Sequence, residues 1–278
     1  MDCELHRASW ASATTSIALT LVILAAGVGY LRSRQHLRGK PWAFTSGLFV
    51  LWLVIASPLS SMDHRLLTFH MLQHLLSMTI AAPLILVGAP EIAIPRRLAN
   101  PVLCWLIGTG VVIAWHVPAA HELGMGSWYW HLTQHLTFFV AGLLFWWPVL
   151  NRRSTVLPVP CAPVYLFLAT LPCDALSAFL TFCGRVIYPS HRSAPVFLGL
   201  SALQDQELAG ALMWFWVTIA YLVPAVAITV RMLSPARNLD PIRQKNGRGG
   251  QTPSFPMGET SGLTLCDAGH ASCNRVVP

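Results

Sequence analysis

The stretch LLTFHMLQHLLSMTIAAPLILVG, residues 66–88, is apolar apart from a few polar side chains, most of them in its first half. It is long enough to cross about 30 Å of hydrocarbon, a distance that takes about 20 helical residues, and so reads as a membrane span. Its polar word, His70-Met71-Leu72-Gln73-His74-Leu75, returns in a second apolar stretch as His131-Leu132-Thr133-Gln134-His135-Leu136. Residues four apart share a helix face, so His70 and His74 form one pair of imidazoles, and His131 and His135 another. Polar side chains placed in lipid are costly unless they have partners or a task, which makes a metal site the first hypothesis.

Outward from these two words, seven apolar stretches recur at about 10–31, 41–59, 66–88, 101–118, 130–150, 161–183 and 207–231. The chain has 278 residues, of which 54% are hydrophobic and only 10% charged, with a mean hydropathy of +0.55. Soluble domains carry about 25% charged residues, so an ordinary soluble globule is excluded. The expected fold is all-α, a seven-transmembrane-helix bundle over residues 1–235. Residues 236–278, rich in Gly, Pro, Ser and Asn without apolar periodicity, read as a disordered tail. Cys266, His270 and Cys273 in that tail match no standard zinc spacing.

Basic residues set the expected orientation. With the N-terminus outside, the inner segments hold Arg32, Arg34, Arg38, Lys40, Arg96, Arg97, Arg152, Arg153, Arg231, Arg237, Arg243, Lys245, Arg248 and Arg275, which is 14 of the 18 Lys and Arg. Arg7, Arg65, Arg185 and Arg192 remain outside. The positive-inside rule therefore puts the C-terminus in the cytoplasm. The net charge of +7 reflects topology and contact with anionic membrane lipids, with no need for nucleic acid. The first span is too long for a cleaved signal peptide and is kept as a helix. Seven cysteines give no disulfide framework, since only Cys3 and Cys183 would face an oxidising compartment.

In this topology the histidines lie to one side. At about 1.5 Å per residue, His70 sits about 6 Å and His74 about 12 Å below the outer end of their span, His131 about 1.5 Å, His135 about 7.5 Å and His116 about 3 Å. His64, His121 and His191 fall in outer loops. Packing alone gives no reason for such a bias, so His70, His74, His131, His135 and His116 are the candidate ligands. Met71, Met78 and His121 are weaker candidates. Imidazole suits zinc, copper, iron and nickel alike. The nearby thioethers of Met71 and Met78, with Met62 and Met125 at outer loops, tilt the choice toward copper as Cu(I), with zinc the alternative, although methionine is also an ordinary core filler.

Supporting roles fall to five residues. Gln73 and Gln134 either fix imidazole tautomers or pin helices together. Asp174, after Pro172 in the sixth span, reads as a kink hydrogen bond or a direct participant. Asp205 and Gln206, with Glu207, either cap the last helix or guide cations toward the histidines. A bis-histidine haem fits less well, because imidazoles four apart on one helix point the same way. A zinc-dependent intramembrane hydrolase is a rival reading, with Asp63, Glu122 and Asp174 as its available carboxylates. A scaffold whose polar residues only lock helices is the other.

FHMLQHLLSMTIAAPLILVGAP at 69–90, WHVPAAHELGMGSWYWHLTQHLTFFVAGLLFWWPVL at 115–150 and LQDQELAGALMW at 203–214 together resemble the multi-spanning CtaG-type cytochrome c oxidase assembly factors. The resemblance covers about residues 40–232, while AAHELGMGSW at 119–128 and SHRSAPVF at 190–197 are less familiar. It implies a multi-pass protein of the bacterial inner membrane that supports copper delivery to a haem-copper oxidase, with its metal site facing the periplasmic side. The implied partners are the oxidase subunit carrying the copper centre and an outer-side copper chaperone. The family's motif histidines fall on His70, His74, His116, His131 and His135, and its acidic motif on Asp205 and Gln206.

Overall fold

Prolines mark where several helices of this chain begin, because a residue without an N–H is tolerated in the first turn. The computed structural model describes residues 2–33, 40–57, 62, 65–89, 95, 98–150, 156–192 and 199–234, with side chains from residue 14 onward. Helix α1 runs Asp2–Ser33, α2 Pro41–Ile55, α3 Leu67–Leu76 and α4 Ala82–Gly88, the last two joined by a π-helical turn over Ser77–Ala81. Then come α5 Pro101–His116, α6 Pro118–Gly126, α7 Trp128–Leu150, α8 Cys161–Phe182, a short α9 at Pro189–Arg192, and α10 Ala202–Leu233. Among the described residues there are helices and no strands. Residues Met1–Ser234 form one compact unit. The tail, Asp63, His64, most of 190–197 and the side chain of Cys3 lie outside what is described.

Among the described residues, five helices are long and apolar enough to cross a membrane, or six when the bent pair α5 and α6 is counted as one span. Helix α2 is apolar but shorter, at 15 residues. Large apolar side chains such as Leu21, Phe49, Val102, Phe167, Phe215 and Val223 are turned outward, as expected of a bundle whose solvent is lipid.

The elements meet through small residues. A Cβ on Gly142 of α7 would lie 2.9 Å from the Met78 backbone, and one on Gly108 of α5 would lie 2.9 Å from the Phe145 ring. Glycine is therefore what allows α7 to approach both the π turn and α5. Gly210 of α10 fits the same way against Thr181 and Ser177 of α8. Phe138, Phe145, Trp146, Leu166, Met213 and Tyr221 fill the core between α5, α7, α8 and α10. Leu67, Met71, Leu180, Tyr188 and Ala209 make a second cluster where α3 and α10 begin.

Three features stand out against the sequence reading. The fourth span stops at His116 and the chain turns by 78° into α6. Val117 is extended (φ −63°, ψ 128°) because the Pro118 ring disfavours a helical residue before it. The last helix starts at Ala202, ahead of the expected 207, since Ser201 and Gln204 close a reciprocal capping box on its first turn. The third span is continuous but carries the π turn, a feature that periodicity does not reveal.

Candidate metal centre

Helix α3 presents His70 and His74 on one face, with ring centroids 4.3 Å apart. Helix α7 presents His131 and His135 at 4.5 Å. The two helices bring the pairs together: His74 lies 4.9 Å from His135, and His70 lies 6.1 Å from His131 and 6.4 Å from His135. After the bend, α6 turns back across the mouth of the bundle and adds His121, 5.0 Å from His70. His191 of α9 follows at 5.4 Å from His121. All of these imidazoles are buried except His131, which is half-buried.

Asp205 and Gln206 hold the surroundings in place. The Asp205 carboxylate accepts the Leu67 N–H at 2.6 Å and, at its other oxygen, the Thr68 N–H and hydroxyl at 3.1 and 2.6 Å. Because the first N–H groups of a helix have no partner within it, α10 thereby caps α3 one turn before His70. This corrects the expectation for Asp205: the helix it caps is α3, and Ser201 caps its own. Gln206 accepts the Ile187 N–H at 2.7 Å and donates to the carbonyls of Arg185 and Leu180 at 3.0 and 3.3 Å, fixing the connection between α8 and α9.

Tyr188, in that connection, packs its ring at a tilt against His121 with centroids 4.2 Å apart and donates its hydroxyl to the His116 carbonyl at 3.1 Å. Burial pushes its phenol above the ordinary tyrosine range, so it acts as a neutral donor. Glu122 of α6 accepts the Ser190 N–H at 3.0 Å, tying α6 to α9.

The Gln134 amide reaches from α7 to the Nε2 of His70 on α3 at 3.3 Å, so it bridges helices and also touches an imidazole. Gln73 is buried on α3 beside the cluster residues. Asp174 is half-buried on α8, and its Oδ1 has no hydrogen-bond partner.

His116 stands apart from the imidazole group. Its Nδ1 bonds the Val112 carbonyl at 2.7 Å and its Nε2 meets the Met71 sulfur at 3.2 Å. His121, the weaker candidate, takes its place in the cluster. His191 was passed over because a loop histidine gives no periodic signal. The clue available was the bend-forming WHVP, which turns the next residues back over the bundle.

The donor set suits a late first-row or soft ion in kind. His70 Nδ1, His74 Nδ1 and His121 Nε2 are buried without hydrogen-bond partners, a state that buried polar atoms rarely keep. The rings stand turned toward one another: His70 and His74 face Nε2 to Nε2 at 2.9 Å. Among the described residues, no three His, Cys, Asp or Glu side chains are set around one point. A shared ion therefore requires ring rotation.

These features define a helical membrane protein with a histidine-rich interior at one end of its bundle. A family model described as cytochrome c oxidase caa3 assembly factor (Caa3_CtaG) matches residues 22–234, and the chain belongs to that family. A factor of this kind acts on cytochrome c oxidase, which is its partner. No curated protein and no solved structure matches the chain.

Proposed function

We propose that the protein is a non-enzymatic copper-handling assembly factor. It holds Cu(I) as cargo among His70, His74, His131, His135 and His121, and passes it by ligand exchange to the oxidase subunit that carries the buried copper centre. The observation that carries this reading is the set of four imidazoles from three helices around His70, with ring centroids between 4.3 and 6.4 Å. Neutral imidazole is the commonest metal ligand, and three buried ring nitrogens here lack any other partner.

The topology we propose has seven spans, with α2 counted among them, the N-terminus outside and the cluster on the periplasmic side of a bacterial inner membrane. The basic residues support that orientation. Copper would arrive from an outer-side chaperone. The hydrolase reading draws less support, because Glu122 is occupied in tying α6 to α9.

Anaerobic Cu(I) loading in detergent tests the reading, comparing the wild type with a His74→Ala, His135→Ala variant whose fold is verified by circular dichroism. Retention by the wild type and loss by the variant supports direct binding. If neither holds copper, or zinc alone is retained, donation from this cluster is refuted.

A further inference from the structure

Beside the imidazole cluster lies a cavity of about 30 Å³ lined by Met71, Met78, Met213, Cys173, His74 and His116 among others. That volume admits about one or two waters and no organic ligand, and four of its walls are sulfur. Of these, Met213 comes from α10 and Cys173 from α8, and neither carried a role in the sequence.

His116 decides what the cavity can hold. The Val112 carbonyl only accepts, so the proton of a neutral His116 sits on Nδ1 and Nε2 presents its lone pair. That lone pair meets the Met71 thioether, another lone-pair donor, at 3.2 Å. Two donors facing each other at this distance repel unless something electron-poor joins them. Protonating His116 instead would bury an imidazolium in an apolar wall, among sulfur and carbon, with no carboxylate lining the cavity. With metal–nitrogen and metal–sulfur bonds of about 2.0 and 2.3 Å, one ion reaches both atoms. A ligating histidine usually donates its other N–H to a carbonyl or carboxylate, as His116 does to Val112.

We propose that His116 Nε2 and Met71 Sδ form a second metal site, distinct from the imidazole cluster, that takes a soft monovalent ion, Cu(I) or Ag(I), with a third donor from Met78 or Met213. Imidazole suits zinc as well, so it is the soft thioether that tilts this pair toward such an ion over Zn(II). The π turn carries Met78 into this cavity, and Gly142 packs behind it. His74 belongs to both places, its ring in the cluster and on the cavity wall. The site stands on its own geometry, whether or not the cluster binds metal.

The test loads the full-length protein in detergent micelles with Cu(I) under anaerobic conditions, and separately with Ag(I). It records bound equivalents and X-ray absorption for wild type, Met71→Leu, His116→Gln and a His70→Ala, His135→Ala variant. Met71→Leu keeps volume and helix propensity, and His116→Gln is the second probe where leucine disturbs folding. The expected result is sulfur in the coordination sphere of the wild type. Met71→Leu and His116→Gln each lose that sulfur signal with one equivalent of metal, while the His70→Ala, His135→Ala variant keeps both. A wild type whose bound metal shows no sulfur neighbour overturns the proposal, as does unchanged metal content with unchanged sulfur signal in both cavity variants. Loss of all metal in His70→Ala, His135→Ala overturns it too, by showing a single site. Failure of the cluster reading looks different: the wild type holds a single, sulfur-bound equivalent, the His70→Ala, His135→Ala variant keeps it, and the two cavity variants hold no metal.

Discussion

The Asp205 carboxylate on α10 receives the backbone N–H of Leu67 on α3 at 2.6 Å, so one helix caps another from far along the chain. The capped end lies one turn from His70, and the angle at which α3 enters the bundle is thereby tied to α10. Asp205→Ala leaves the Leu67 and Thr68 N–H groups without this acceptor. By comparison with ordinary caps, the expected loss is about 1–2 kcal/mol, read as a lower thermal midpoint in detergent, with Glu207→Gln as a near-neutral control.

Gly142→Ala drives a methyl into the Met78 backbone and the Ala82 side chain. Overpacking of this kind costs about 1–3 kcal/mol, and here the strain falls on the π turn. The variant is expected to melt earlier and to lose oxidase-assembly activity together. Gly126→Ala, with nothing within 4 Å of the added carbon, is expected to be silent in both measurements.

The π turn is held from two sides: Trp146 donates to the Met78 carbonyl at 3.1 Å, and Trp216 donates to the Thr79 hydroxyl at 2.8 Å. Trp146→Phe keeps an aromatic side chain but removes the indole donor, leaving the buried Met78 carbonyl without it. Its cost is about 1–3 kcal/mol. Denaturation in mixed micelles is the check, with Trp128→Phe at an exposed position as reference.

Gln206→Leu removes the hydrogen bonds to Ile187, Arg185, Cys183 and Leu180 that tie α10 to the end of α8 and the connection to α9. The amide of Ile187 is then expected to exchange with deuterium markedly faster, while amides in the middle of α8 do not change. Equal exchange in both proteins would show that the connection is held by other contacts.

Much of this bundle was legible because lipid imposes a length and a polarity that composition reports directly. The His-x-x-Gln-His words also gave the paired faces, since spacing of four fixes side-chain direction on a helix. What the words could not give was the partner of each pair. His116 ranked above His121 in sequence, and only the bend at Val117 and Pro118 sends His121 into the cluster and leaves His116 on Met71. Asp205 and Gln206 were legible as a polar knot but not as a cap on a distant helix, because the N–H groups they satisfy belong to Leu67 and Ile187. Cys173 and Met213 lie in the core, and their placement on a shared cavity arises from helix packing that no local pattern encodes.

The 78° turn into α6 also sets a time scale. With His121 lying over His70, and Glu122 latched to Ser190, any solute reaching His70 from the mouth of the bundle must wait for α6 or α9 to lift. On the copper-holding reading proposed above, exchange at His70 would then depend on movement of α6 or α9. A docking protein that loosened the Glu122 to Ser190 bond would, on that reading, change the rate of release while leaving the underlying affinity of the closed form untouched.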